Sequence, residues 1–260
     1  MRRNKIWRVS LVGVLILSSC VAASPPSRLT KYVGPAVTDE AAAPRLPVSR
    51  PLRVSLVVVA DQSAPDSSPA LPDEAVARVG ELLAGEISRG FPFVIDRVIR
   101  LEGTGPGGTG GTPPAWTDIA RQQAAEHLVV AVLSSTEQEY PVSLFLGWTT
   151  HRQPGFRRDN WSLAEAALIE GATGRPVLRA EGRALASLES PTAPGISQWY
   201  PVIYLPRQDP ERRIRPPSFD EAPLMLRVIS MEQAAKRLAG NLQRAWVEQR
   251  ELELASTARF

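Results

Sequence analysis

Cysteine occurs once in the 260 residues, at Cys20, and histidine twice, at His127 and His151. An intrachain disulfide is therefore excluded, and one thiol cannot assemble a thiolate metal site. Two histidines so far apart could hold a metal only with carboxylates placed by the fold, and nothing in their spacing asks for it. Lysine is nearly as scarce, at Lys5, Lys31 and Lys236, so the basic residues are almost all arginine, spread along the chain and not clustered. No GxSxG elbow and no Walker A pattern occurs. No apolar run reaches the roughly 20 residues that a membrane-spanning helix needs. No catalytic residue, metal ligand or cofactor is expected from the motifs.

What is present begins at the first residues. Arg2, Arg3, Lys5 and Arg8 stand without any acid before an apolar run from Val9 to Leu17, broken only by Ser10 and Gly13. That is the positive region and short hydrophobic region of a secretory signal. The run ends in Leu17-Ser18-Ser19-Cys20, which resembles the bacterial lipobox. The resemblance implies that residues 1–19 are a signal peptide, that cleavage falls before Cys20, that the Cys20 sulfur carries a thioether-linked diacylglycerol, and that the new amino group is acylated, with palmitate for example. A single acyl chain binds a membrane only marginally, whereas two or more make a stable anchor. Val21 stands where Asp tends to retain Gram-negative lipoproteins at the inner membrane. The same resemblance therefore implies the outer membrane, with the protein on its periplasmic face.

Cleavage at that point also changes the charge. The whole chain carries 30 basic and 27 acidic residues, +3. Losing Arg2, Arg3, Lys5 and Arg8 leaves 26 against 27, a formal −1. A nucleic-acid partner, which wants a basic face, then has no compositional support.

Residues 20–50 read as a lipidated cysteine followed by a tether, with Pro25, Pro26, Pro44 and Pro47 among alanines and serines and no apolar periodicity. Residues 51–251 read as one α/β (α+β) domain, a single mixed sheet packed by about three helices, and 252–260 as a tail. "LRVSLVVVAD" (52–61) has the continuous β-branched pattern of a strand covered on both faces. "DEAVARVGELLAGEISRG" (73–90) places Val76, Val79, Leu83 and Ile87 on one helical face. A second strand over 91–102 is expected to break or bend at Asp96-Arg97. A helix over 117–127 ends at His127, where a cation would suit the helix dipole, and a buried strand follows at 128–135. Residues 161–170 and 177–188 form a hairpin around "GATGRP", and "WTTHRQPGFRR" before them reads as an exposed loop. The proline-rich segment 189–226 reads as an insertion ahead of a last helix over 230–251, for which Ser230 and Gln233 fit a capping box.

Few residues invite chemistry. "GTGPGG" (103–108) has the letters of a dinucleotide loop, but "TGGTPPAW" follows where the phosphate-binding helix would have to open. Asp61 and Asp96 lie at or near strand ends, where aspartates are mostly caps and turn formers; paired, they would be the carboxylates of a hydrolase. Trp199, Tyr200 and Tyr204 in the insertion, with Arg97, are the candidate partner-binding residues, because Trp, Tyr and Arg dominate protein interfaces.

The order of elements, with "VSLVVVAD", "FPFVIDRVIRLE", "AAEHLVVAVLSS" and "IEGATGRPVLRAEG", resembles the domain shared by CsgG-type curli secretion lipoproteins, penicillin-binding-protein activator lipoproteins and the amino-terminal domain of TolB. It spans roughly 52–188 and 230–250, with "AEHL" where that group usually has "GADY". The resemblance implies a non-catalytic module that binds other envelope proteins, held to the membrane through Cys20. The competing expectations are a lipid-anchored hydrolase of envelope polymers, which needs Asp61, Asp96, His127 or His151 to converge, and a carrier of an apolar ligand, which needs a greasy cavity under the insertion.

Overall fold

The structure, a computed structural model, describes residues 24–34, 52–90, 93–101, 116–144, 152–192, 201–205 and 212–257. In chain order these form α1 (Leu29–Val33), β1 (Leu52–Ala60), α2 (Asp73–Gly90), β2 (Phe93–Leu101), α3 (Trp116–Gln122), β3 (His127–Leu144), β4 (Gln153–Glu170), β5 (Pro176–Pro191), β6 (Val202–Leu205), β7 (Arg212–Ile214) and α4 (Ala222–Thr257). The strands make one mixed sheet in the order β2-β1-β3-β4-β5-β6-β7. β1 runs parallel to β2 and β3, and every later neighbour is antiparallel.

The two kinds of strand follow from what covers them. β1 and the first half of β3 are apolar at nearly every position because both faces are buried. On one face α2 and α4 pack over Leu52, Val54, Leu56, Val58, Val129 and Ala131. On the other, α1 and α3 cover Val57, Val59, Leu128, Val130, Val132 and Ala167. Beyond Ser134, β3 changes to alternating burial. There the hairpin of β3 and β4, 18 residues each, runs on past the end of the nine-residue β1. The amino-terminal turns of α4 cover one side of this overhang through Ala186, Leu188, Ile203, Leu205, Ala222 and Leu226.

Several expectations need correcting. Residues 153–158, read as part of an exposed loop, open β4, because their pairing to β3 satisfies the backbone from Gln153 onward. The insertion over 189–226 supplies the end of β5, then β6, β7 and the start of α4, so its described parts belong to the sheet and the last helix. Ser230 is no helix cap: it lies inside α4, fully buried, and its Oγ donates to the Asn160 carbonyl at 3.1 Å. α3 stops at Gln122, and Ala124 takes φ 51, so His127 opens β3 and does not close a helix. The bend expected in β2 is a bulge: Ile95 and Arg97 pair with consecutive residues of β1, leaving Asp96 as the extra one.

α4 lies close on β5 at Gly182. A Cβ there would meet the Ala234 carbonyl oxygen and the Leu238 amide, backbone atoms that cannot swing aside. Gly182→Ala should cost about 1–3 kcal/mol as overpacking, and more if α4 has to shift. Urea unfolding measures it; an unchanged midpoint would refute the close approach.

Candidate interaction face

The strap at residues 24–34, expected to be tether, is bonded onto the sheet. Glu165 sits in β4 on the α1 side, paired across the strands with Val132 and Glu181, and is 3% exposed. A buried carboxylate without hydrogen bonds is costly. Ser27 Oγ donates to its Oε1, and the amides of Arg28 and Leu29 donate to Oε2 at 2.7 and 3.2 Å. α1 has no side-chain cap and no acid of its own in its first turn, so Glu165 does the work of an N-cap from another element. The rest of the strap is held by side chains around it. Arg183 donates to Ser24 Oγ and the Pro25 carbonyl at 2.7 and 3.1 Å, Arg179 to the Gly34 carbonyl at 2.9 Å, and Trp116 Nε1 to the Tyr32 carbonyl at 3.0 Å. Gly34, at φ 74, turns the chain off the helix.

Asp61 closes the same strap at the far end of β1. Burial raises its carboxyl pKa, but the Ser63 side chain and amide, the Tyr32 hydroxyl at 2.9 Å and the charge of Lys31 together hold it below its ordinary value of 3.8. Its contribution to stability is thus present above that value and is lost as pH falls through the lower, folded one.

The overhanging half of the sheet carries the densest charge. On the α4 side, Arg158 bonds Glu139 and lies 3.4 Å from Glu137, which also meets Arg227 of α4 at 3.6 Å. On the opposite side the apolar residues under α1 and α3 end at Val132 and Ala167, and a polar row replaces them. Tyr140 donates to Asp159 at 2.8 Å. Arg157 donates to the same carboxylate at 3.0 Å and to Ser187 at 2.9 Å, and reaches Glu189 at 3.6 Å. Ser187 pairs with Tyr204, which pairs with Arg213, whose guanidinium lies 5.8 Å from the Tyr204 ring centre. Tyr140 and Tyr204 are half-buried and Arg213 is exposed. Desolvation, followed by the bond to Asp159 and its charge, raises the Tyr140 phenol above its usual 10.0.

Of the residues singled out in the sequence, Tyr204 joins this row. Arg97 does not: it is exposed on β2, donating to Gln123 at 3.2 Å, five strand steps or roughly 24 Å from Tyr204 across the sheet. Cys20, Trp199, Tyr200, His151 and the loop at 103–108 lie outside the described residues. Asp61 and His127 do not converge, since they stand at opposite ends of the parallel β1–β3 pair, about 20 Å apart along the strands. Asp96 is held by Arg53 at 2.9 Å on the edge strand. His127 is buried, and its Nδ1 meets no partner among the described residues; desolvation lowers its pKa against the charges of Glu170 and Glu126. No group of three potential metal ligands occurs among the described residues, and no described helix is long and apolar enough to cross a membrane.

Sequence reasoning missed Glu165, Arg157 and Asp159. The first had a readable signal: a single acid in the strand "SLAEAALIE" that the pattern buries, and so a group in need of donors. Leu29, Tyr32 and Val33, followed by Gly34, were the matching signal for a one-turn helix.

No family profile matches the chain, and no curated protein matches it. Among solved structures it is similar to the PelC dodecamer from Paraburkholderia phytofirmans, at 14% identity over 72% of this chain and 92% of that one, TM-score 0.26. It is also similar to the hypothetical protein CT253 from Chlamydia trachomatis, at 14% identity over 73% and 96%, TM-score 0.31. A third is lipoprotein GNA1162 from Neisseria meningitidis, at 11% identity over 55% and 89%, TM-score 0.25. Scores this low carry no argument about role.

Two measurements test the geometry. Glu165→Gln should remove about 1.5–3 kcal/mol, the contribution of hydrogen bonds to a charged group, and hydrogen exchange at the Arg28 and Leu29 amides should quicken with it. Unchanged protection there would show that the strap does not depend on the carboxylate. Asp159→Asn should bring the Tyr140 phenol back toward 10.0, seen as one tyrosine of the four ionising earlier in an ultraviolet titration; an unshifted curve would separate Tyr140 from Asp159.

Proposed function

We propose that the protein is a lipid-anchored envelope protein that acts as a non-catalytic assembly module, held at the outer membrane through Cys20 and facing the periplasm. The observation that carries the reading is the pairing of Leu17-Ser18-Ser19-Cys20 with a strap that is bonded to the domain from Ser24 onward. A lipid on Cys20 would then hold a rigid body and not a loosely leashed one. Membrane attachment raises the effective concentration of such a body for partners in the same envelope. The partner-binding surface in this reading is the polar row of Tyr140, Arg157, Ser187, Tyr204 and Arg213, a mix of Tyr and Arg already ordered by strand pairing and salt bridges. Side chains fixed before binding lose less entropy when a partner arrives.

The carrier reading gains little support. The cavity beside β6, between Phe156, Leu188, Pro201 and Phe219, measures about 170 Å³, under the roughly 300–1,000 Å³ of ligand pockets.

Two experiments test the reading. Mass spectrometry of protein made in its own host should show an amino terminus at Cys20 bearing diacylglycerol and a further acyl chain. An unmodified thiol, or a peptide beginning at Met1, would remove the anchor. A photo-crosslinker placed at Tyr204 should give adducts with envelope proteins in intact cells, and Arg157→Ala should weaken them. Adducts no more abundant than in a Cys20→Ser control would refute the assembly role.

A further inference from the structure

Where α4 crosses the exposed edge of β5, an open groove of about 430 Å³ is lined by Glu181, Arg183, Arg237, Gly240, Asn241 and Arg244. Its parts are fixed to the backbone of β5. Arg237 Nη1 donates to the Arg183 carbonyl at 2.5 Å, and Asn241 donates to the Glu181 carbonyl at 2.7 Å. Arg183 is itself held in a two-bond pair with Glu181 at 2.8 and 3.1 Å. Arg244 donates to Asn241 at 3.1 Å. Arg237 and Arg244 are exposed, and each guanidinium, with five N–H groups, keeps donors for a further acceptor. Lys236 is exposed beside them, and the nearby acids are Glu181, the buried Glu165, whose charge acts on Arg183, and, one turn beyond Arg244, Glu248. Cations are in excess in and around the groove.

The position of the groove is as telling as its charge. Arg183 bonds Ser24 Oγ, and only four peptide units separate Ser24 from Cys20. A fully extended chain spans at most about 3.3–3.6 Å per residue, so Ser24 lies within about 14 Å of the Cys20 backbone. If Cys20 carries acyl chains, its sulfur sits at the boundary between headgroups and hydrocarbon. The headgroup layer on each side of a bilayer is about 5–8 Å thick, and charges act over a Debye length of about 8–10 Å. The groove, joined to Ser24 through Arg183, can thereby come within the range in which guanidinium groups meet lipid phosphates.

We propose that this groove rests on the anionic headgroups of the bilayer that holds Cys20, with Arg237 and Arg244 donating to lipid phosphates. The proposal rests on the anchor reading above and adds an orientation to it: the β5 edge faces the membrane, and β2 and the overhanging hairpin are left free for partners. Arginine suits the role because its planar fork takes phosphate oxygens two at a time.

The test uses the full-length lipidated protein reconstituted into vesicles. The Cys20 thiol is then consumed, so an introduced cysteine is the single labelling site. Gly240→Cys places a fluorophore in the groove, where an added Cβ meets nothing within 4 Å. Val94→Cys, on the β2 edge and 48% exposed, serves as the distant position. In phosphatidylglycerol–phosphatidylethanolamine vesicles carrying a nitroxide on the headgroup, the label at 240 should be quenched and the label at 94 should not. Replacing the phosphatidylglycerol by phosphatidylcholine, or introducing Arg237→Gln with Arg244→Gln, should abolish most of that quenching, and Lys at both positions should restore part of it. Equal quenching at 240 and 94, or quenching at 240 indifferent to lipid charge and to both arginines, would overturn the proposal. Flotation with the vesicles reports the anchor separately. Protein that floats without the expected quenching loses only the headgroup contact, and protein that does not float loses both.

Discussion

A carboxylate sealed inside a sheet has to be met by donors, and those that meet Glu165 come from Ser27, Arg28 and Leu29. This exchange decides more than the position of one short helix. Val57, Val130 and Ala167 are apolar on the side opposite α2 and α4, and they need a cover. α1 and α3 supply it, with Leu29 and Trp116 buried against them. The strap is thus a layer of the fold, and Glu165 fixes its register. Arg179 and Arg183, on the same face of β5 to either side of the rung that pairs Glu165 with Glu181, then fasten its two ends.

The sheet divides into halves with different electrostatics. Over the first half, helices exclude water from both faces and the strands are built from Val, Leu, Ile and Ala. Over the second, one face meets the start of α4 and the other carries ionic pairs. The pairs around Arg157 on that open face, and those around Arg158 on the α4 side, are partly shielded, the two guanidinium side chains being 34% and 28% exposed. Isolated surface pairs contribute little, but here each arginine meets two carboxylates. Such networks fix side-chain positions more than they add stability. The polar face is therefore rigid, which is what the proposed partner-binding role requires.

How much of this was legible depended on whether the controlling interaction was local. The strand at 52–61 and the helix at 73–90 could be read because burial on both faces, or on one face, writes a period into the sequence. The hairpin at 161–188 was legible through its Gly-containing turn, and even the irregularity at Asp96 left a polar mark in an apolar run. The length of the β3–β4 overhang was not, because "TEQEYPVSL" and "QPGFRRDN" are polar and are held as strands by pairing with each other, from Glu137 opposite Asn160 to Leu144 opposite Gln153. Nor was the early start of α4: Ala222–Ile229 is buried by β5 and β6, strands that the proline-rich composition of the insertion conceals. The strap failed for the same reason, since its partner Glu165 lies 138 residues from Ser27. Of the candidate partner-binding residues, Tyr204 lies in the polar row, while Arg97 is at the far margin of the sheet.

The bulge at Asp96 has a consequence for assembly. It interrupts β2, the outermost of the described strands on that side, where Asp96, Arg97 and Arg100, with Arg53 of β1, gather charge. At the other margin β7 offers three residues, and the bare stretch of β5 is crossed by α4. Sheets blunted in this way resist strand-to-strand joining with a neighbour. Growth by continuing the sheet from one molecule into the next is thereby disfavoured, which leaves the broad sides of the domain and its helices as the surfaces for a complex.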